Sequence, residues 1–307
     1  MKVLLATDGS ETAKHAAEFL AKMELAAELD VTLATVSHDP ADFANAYVPV
    51  AEDWKTQERE RVATHQAELE SILSGVTRSV TLHQQFGTVA HDIVELSQRM
   101  QADLVVLGAV GHSMIRRMLL GSVSDYVANH ASCSVLIVRP TAELNHGQVN
   151  VLIAYDGSLA SKQAAEELVG LPWKAEPAIS VLSVVQEYDV LLGDGISAVA
   201  LSDQTEWFER MRGENQSMTD QIAHQMKGAE AHVTKGYHVG DAIVDYAEKH
   251  KSDLIVVGDS GHSVIEDLLL GSTSKFIMRH APCSVWISRH HRNTNNTTSE
   301  LADNLST

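Results

Sequence analysis

The stretch GAVGHSMIRRMLLGS at residues 108–122 returns 150 positions later as GDSGHSVIEDLLLGS at 258–272. Nothing else in the chain constrains its fold so strongly. Each half also opens on an apolar run closed by one tripeptide, KVLLATDGS at 2–10 and NVLIAYDGS at 150–158. Asp8 and Asp156 are 148 residues apart, so the repeat drifts by only two residues over its length, the mark of a duplication. A chain of 307 residues is long for one hydrophobic core and suits two of about 150. The spacing predicts domains over 1–143 and 149–291, separated near TAELNHGQ at 141–148, with a polar tail over 292–307 expected to be disordered.

Within each half, short β-branched runs alternate with helical segments. The first half reads KVLLAT, a helix, VTLATVS, a long charged helix, SVTLHQQF, a helix, DLVVLG, a helix and SVLIVRP, and the second repeats the order. Such alternation predicts an α/β class, a doubly wound parallel sheet flanked by crossover helices, built twice. The segments DPADFANAYVPVAED and EYDVLLGDGISAVALSD differ most between the halves and are expected to be irregular lids or interface loops.

Composition excludes several classes of function. A formal net charge of -18, with no local excess of Lys and Arg, repels a nucleic-acid backbone. No run approaches the roughly 20 apolar residues of a membrane span, and MKVLLATDGS turns polar too early for a secretory signal, so the expected place is the cytoplasm. The two cysteines, Cys133 and Cys283, hold equivalent positions before apolar runs and are expected as buried structural thiols. No cluster has metal-site spacing, and no nucleophile lies beside a base, so neither a metal centre nor catalytic residues are predicted.

The repeated phrase has its own chemistry. Gly108 ends an apolar run, Gly111 follows, and Gly121-Ser122 opens the next helix, with Gly258, Gly261 and Gly271-Ser272 in register. Glycines there allow positive φ and close approach of a ligand to the backbone, which a Cβ would block. Residues at a helix start offer unpaired N–H groups and the helix dipole to an anion. Neither GxGxxG nor GxxxxGK[ST] occurs in these loops, which disfavours a dinucleotide fold or a P-loop. In an open parallel sheet a ligand sits where the winding reverses; if strands 1 and 4 flank that point, Asp8 and Gly108 become neighbours.

Taken together, Gly-x2-Gly-x9-Gly-Ser twice, ATDGS and AYDGS, the chain resembles a tandem member of the universal stress protein family over about residues 1–291. The resemblance implies a five-stranded sheet of order 3-2-1-4-5 in each half and an ATP site. By it Ala6, Thr7, Asp8 and Val36 meet adenine and ribose, and Gly108, Gly111, Gly121, Ser122, Val123 and Ser124 take ribose and phosphates. The second-half matches are Ala154, Tyr155, Asp156, Val184, Gly258, Gly261, Gly271, Ser272, Thr273 and Ser274. It further implies strand 5 pairing between the halves as an internal pseudo-dimer, Mg2+ arriving only with the nucleotide, and whole chains able to form a homodimer. The expected function is a stress-response protein whose adenine nucleotide occupancy regulates conformation or association; alternatives are a slow ATP hydrolase and a nucleotide-independent scaffold.

Bland readings stand beside these. Asp8 and Asp156 could be helix caps, although Ser10 and Ser158 can take that role. His112 and His262 suit either phosphate or solvent, and His130 and His280 suit helix C-termini. Between the glycines Arg116-Arg117 faces Glu266-Asp267 in the other copy, which also carries Asp259. That reversal predicts tighter ATP binding in the first half.

Overall fold

The structure, a computed structural model, describes residues 1–25, 29–39, 48–110, 120–140, 148–187, 198–260 and 270–289, with backbone alone for 48–51, 198–205 and 207. Gly111, Gly261, His112, His262, Arg116, Arg117, Glu266, Asp267 and the tail lie outside the described residues. The first half runs β1 (Lys2–Ala6), α1 (Glu11–Lys22), β2 (Asp30–Ser37), α2 (Val48–Leu73), β3 (Ser79–Phe86), α3 (Val89–Arg99), β4 (Leu104–Gly108), α4 (Ser122–His130) and β5 (Ser134–Val138). The second runs β6 (Asn150–Ala154), α5 (Leu159–Val169), β7 (Ala178–Gln186), α6 (Ala198–Ala223), β8 (Glu230–Gly236), α7 (Val239–Lys249), β9 (Leu254–Gly258), α8 (Ser272–His280) and β10 (Ser284–Ser288).

The strands form one ten-stranded sheet of order β3-β2-β1-β4-β5-β10-β9-β6-β7-β8. Each half is thus 3-2-1-4-5, parallel throughout, and the halves meet by antiparallel pairing of β5 with β10, Leu136 opposite Trp286. The central strands are unbroken apolar runs because helices cover both of their faces. One core lies under α1, α2, α5 and α6 and holds Phe19, Leu136 and Trp286; the other lies under α3, α4, α7 and α8 and holds Val127, Val135, Ile277 and Val285. Both cores cross the seam, so the two sequence repeats share their hydrophobic interior.

Polar groups lock the seam. Glu167 on α5 accepts from the Ser134 hydroxyl at 2.7 Å and the Trp286 indole at 3.3 Å. Two buried arginines at the ends of β5 and β10 reach into opposite halves. Arg139 Nη2 donates to the Met278 and Arg279 carbonyls at the end of α8, and Arg289 donates to those of Ala128 and Cys133 around the end of α4. Cations at helix C-termini complement the dipole and satisfy carbonyls that a helix end leaves open. Cys133 and Cys283 are buried nearby, and burial pushes their thiols up to about 11 and about 12, the state expected of structural thiols.

The long helices start earlier than expected. Residues 48–53 and 198–203, expected as irregular, belong to α2 and α6. Pro49 does not prevent this, because a proline in the first turn lacks only an N–H that would be unpaired anyway. Their buried residues are Val62, Gln66, Leu69 and Leu73 on α2, and Thr219, Ile222 and Ala223 on α6. The Gln66 amide sits inside because it donates to the Leu33 and His83 carbonyls and the Thr35 hydroxyl.

Candidate functional site

β1 lies between β2 and β4, so the crossovers leave it in opposite directions and a crevice opens beyond its carboxyl end. A cavity of about 620 Å³ fills that crevice in the first half. Every first-half site residue predicted from the sequence and lying within the described residues lines it: Ala6, Thr7, Asp8, Val36, Gly108, Gly121, Ser122, Val123 and Ser124. The expected neighbourhood of Asp8 and Gly108 is therefore present.

The turn after β1 explains the tripeptide. Gly9 has φ +79°, a conformation costly for any residue with a Cβ, and a Cβ there would lie 2.7 Å from the His65 ring. The Asp8 carboxylate accepts from the Ser10 N–H at 3.0 Å, and Ser10 Oγ caps α1 by accepting from the Ala13 N–H at 3.2 Å. Capping thus falls to serine. The second half repeats this with Gly157 at φ +79°, Asp156 accepting from Ser158 N–H at 2.9 Å and Ser158 capping α5.

The glycines of the repeated phrase have a packing role. Positive φ occurs at neither Gly108 nor Gly258, and Gly121 and Gly271 have φ of -69° and -58°. At Gly108 a Cβ would lie 2.9 Å from the backbone of Thr12, and at Gly258 one would lie 2.8 Å from that of Ala160. These two glycines let the first turns of α1 and α5 lie against the ends of β4 and β9, a packing need independent of any ligand. Ser124 and Ser274 are also engaged, donating to the Gly108 and Gly258 carbonyls at 2.8 and 2.7 Å. What faces the cavity at α4 is its backbone start: Gly121 is the N-cap, no side chain caps the helix, and the first N–H groups have no intrahelical acceptor. That end attracts anions.

The cavity has two unlike walls. Ala6, Val36, Val89, Ile93 and Leu107 make an apolar side, whereas Thr12, Ser37, Glu58 and Arg61 make a polar one. The Arg61 guanidinium grips the Glu58 carboxylate through two bonds of 2.7 Å, Ser37 Oγ donates to the same carboxylate at 2.7 Å, and Arg61 Nη1 donates to the Asp8 carbonyl at 3.2 Å. This α2 wall was not anticipated. A signal existed: stepping back by four from the buried Val62 puts Glu58 on the same stripe, a carboxylate where the helix elsewhere turns its buried face inward.

In the second half Ala154, Tyr155, Asp156, Val184, Gly258, Gly271, Ser272, Thr273 and Ser274 hold the equivalent positions, at the ends of β6, β7 and β9 and the start of α8. Tyr155 turns its ring into the core. Met211, Glu214 and Met218 stand where the first half has Glu58, Arg61 and His65. Asp259 does not act as a repelling charge in the glycine loop: it is 1% exposed and pairs with Arg289 at 3.6 Å. Elsewhere, His91, Asp92 and Glu95 gather ligand atoms within 4.8 Å on α3, but His91 and Glu95 are exposed and the trio lies outside the cavity lining. His130 and His280 end α4 and α8, each ring bonded to the carbonyl four residues back, as expected of C-terminal histidines.

The sequence pattern of the universal stress protein family matches residues 1–139 and 149–289. A universal stress protein of Mycobacterium tuberculosis is 26% identical over 245 residues, 77% of this chain and 78% of the relative. One from Thermus aquaticus is 36% identical over 142 residues, 45% of this chain and 97% of its own length. Among solved structures, a universal stress protein from Archaeoglobus fulgidus has the same fold, with TM-score 0.64 at 20% identity over 94% of this chain and 98% of that one.

Proposed function

Since the chain belongs to the universal stress protein family, matched over both halves, we propose that its first-half cavity binds an adenine nucleotide, with ATP the expected form and occupancy regulating conformation or association. The observation that carries this reading is the cavity itself, which joins an apolar slot to an uncapped helix start. A flat base needs the first and a phosphate chain the second. At about 620 Å³ it falls in the range of small-molecule sites.

Asp8 would meet the sugar, with the backbone of Gly121, Ser122 and Val123 taking phosphate through N–H groups. A divalent ion such as Mg2+ would enter with the nucleotide and neutralise its charge. The second half offers the same turn and helix start with a different α6 wall, and we infer weaker binding there. Its basis is the absence of the Glu58-Arg61 pair at Met211 and Glu214. Location in the cytoplasm and association of whole chains into a homodimer belong to the same reading.

The test is direct. Purified full-length protein is denatured and the supernatant separated for released nucleotide, then the refolded or stripped protein is titrated with ATP by calorimetry. Adenine nucleotide in the supernatant, or saturable binding that Val123→Trp at the α4 start weakens at least tenfold, supports the proposal. No released nucleotide together with no binding of added ATP rejects it.

A further inference from the structure

The nucleotide reading leaves open what, if anything, in the cavity reads the base. Glu58 is placed to do so. Its side chain is only 12% exposed, and it lies at the polar edge of a slot whose opposite wall is Val36, Val89 and Ile93. A flat ring stacked on that apolar wall presents its edge to the carboxylate.

The carboxylate is held in one orientation. Arg61 Nη2 and Ser37 Oγ both donate to Oε1, while Arg61 Nε donates to Oε2. An ionised carboxylate offers about four acceptor positions, so a place on Oε2 stays open toward a further donor. The Arg61 hydrogen bonds hold the Glu58 carboxyl below its ordinary range, so at neutral pH it accepts and does not donate. A ligand must therefore bring a hydrogen-bond donor to this edge, and a carbonyl oxygen placed on the carboxylate meets repulsion.

We propose that Glu58 is a specificity-determining residue of the first-half cavity: its carboxylate accepts from the exocyclic amino group of a 6-aminopurine and rejects the carbonyl oxygen of a 6-oxopurine. The proposal rests on the nucleotide reading and adds to it the group that selects the base. Arg61 and Ser37 act through Glu58 as positioning residues. The second half supplies a built-in contrast, because Met211 at the equivalent place on α6 has no acceptor of comparable strength. The simpler alternative is that Glu58 serves only to anchor Arg61 over the Asp8 turn.

The experiment titrates the full chain with ATP and with inosine triphosphate, which differ in the purine 6-substituent and in N1, an acceptor in adenine and an N–H in hypoxanthine. Wild type is expected to bind ATP at least about tenfold more tightly, the scale of one hydrogen bond to a charged group. Glu58→Gln, whose amide both donates and accepts, is expected to bring the ratio to about one by weakening ATP and strengthening inosine triphosphate, whereas Met211→Gln leaves it unchanged. Should Glu58→Gln fail to fold, Glu58→Met, which copies the second half, gives the same reading through lost discrimination. An undiminished ratio in either folded variant overturns the proposal. So does equal binding of both triphosphates by wild type, or equal loss of both in a variant whose unfolding midpoint is unchanged, as mere anchoring requires. If wild type binds neither triphosphate, the nucleotide reading itself fails and this proposal falls with it.

Discussion

The turn Asp8-Gly9-Ser10 after β1 and the turn Asp156-Gly157-Ser158 after β6 share one geometry. Each has a glycine at φ +79°, an aspartate accepting from the serine N–H, and a serine capping the next helix. The helices packed over these turns are not alike. α2 brings Glu58, Arg61 and His65, while α6 brings Met211, Glu214 and Met218. A second difference lies at the seam, where Arg289 meets the buried Asp259 but Arg139 has Ala109 at the corresponding place. The duplication has thus kept the parts that shape backbone and varied the side chains that face them. Backbone frame and the side chains packed over it vary separately in this fold.

The seam offers the largest way to break the comparison. Arg289→Met leaves Asp259 as a buried carboxylate without its cation and should cost about 3–5 kcal/mol of unfolding free energy. Arg139→Met removes the donor to the α8 carbonyls and should cost about 1–3 kcal/mol. Chemical denaturation of the full chain measures both. Adding Asp259→Ala to Arg289→Met should recover part of the larger loss, and no recovery would mean that the ion pair contributes nothing to the asymmetry. Isolated halves are unsuitable for this work, because separating them exposes the edges of β5 and β10 together with Leu136 and Trp286.

The glycines sharpen the shared part. Gly108→Ala and Gly258→Ala place a Cβ within 3 Å of helix backbone in each half and should cost a similar amount, about 1–3 kcal/mol, in the same assay. A loss confined to one half would show that the two strand–helix contacts are not equivalent.

The smallest effect concerns protons. Burial, aided by the nearby Arg61 charge, holds the His65 ring below its ordinary value of 6.5, so the unfolded chain takes up a proton at a higher pH than the native chain does. Stability from this residue is complete above about 6.5 and declines as pH falls through the native value. His65→Met, the second-half arrangement, should flatten the acid side of a plot of unfolding midpoint against pH. Parallel curves for variant and wild type would remove His65 from the difference between halves.

Much of the frame could be read from the chain because it is local. Ser10 and Ser158 stand two residues after an aspartate and just before a helical run, so capping needs only those few residues. Alternating strand and helix runs led to the parallel sheet for the same reason, and the resemblance of the glycine phrase brought Gly108, Gly121 and Ser122 to the cavity. The packing role of Gly108 was not legible, since a glycine required by a helix 96 residues earlier looks the same in sequence as one required by a ligand or by positive φ. The α2 wall was missed because periodicity gives a helix its buried stripe but not what that stripe meets beyond the end of the sheet.

Two α/β units and the capped turns after β1 and β6 follow from the sequence alone. Only the tertiary structure shows that Gly108 and Gly258 admit helix backbone, that Glu58 and Arg61 line the first cavity, and that Arg289 pairs with the buried Asp259. The division has a physical cause. Caps and strand patterns are set by dihedral preferences and hydrogen bonds within a few residues, whereas charge pairing and close packing depend on which surfaces a ten-stranded sheet brings together from distant parts of the chain.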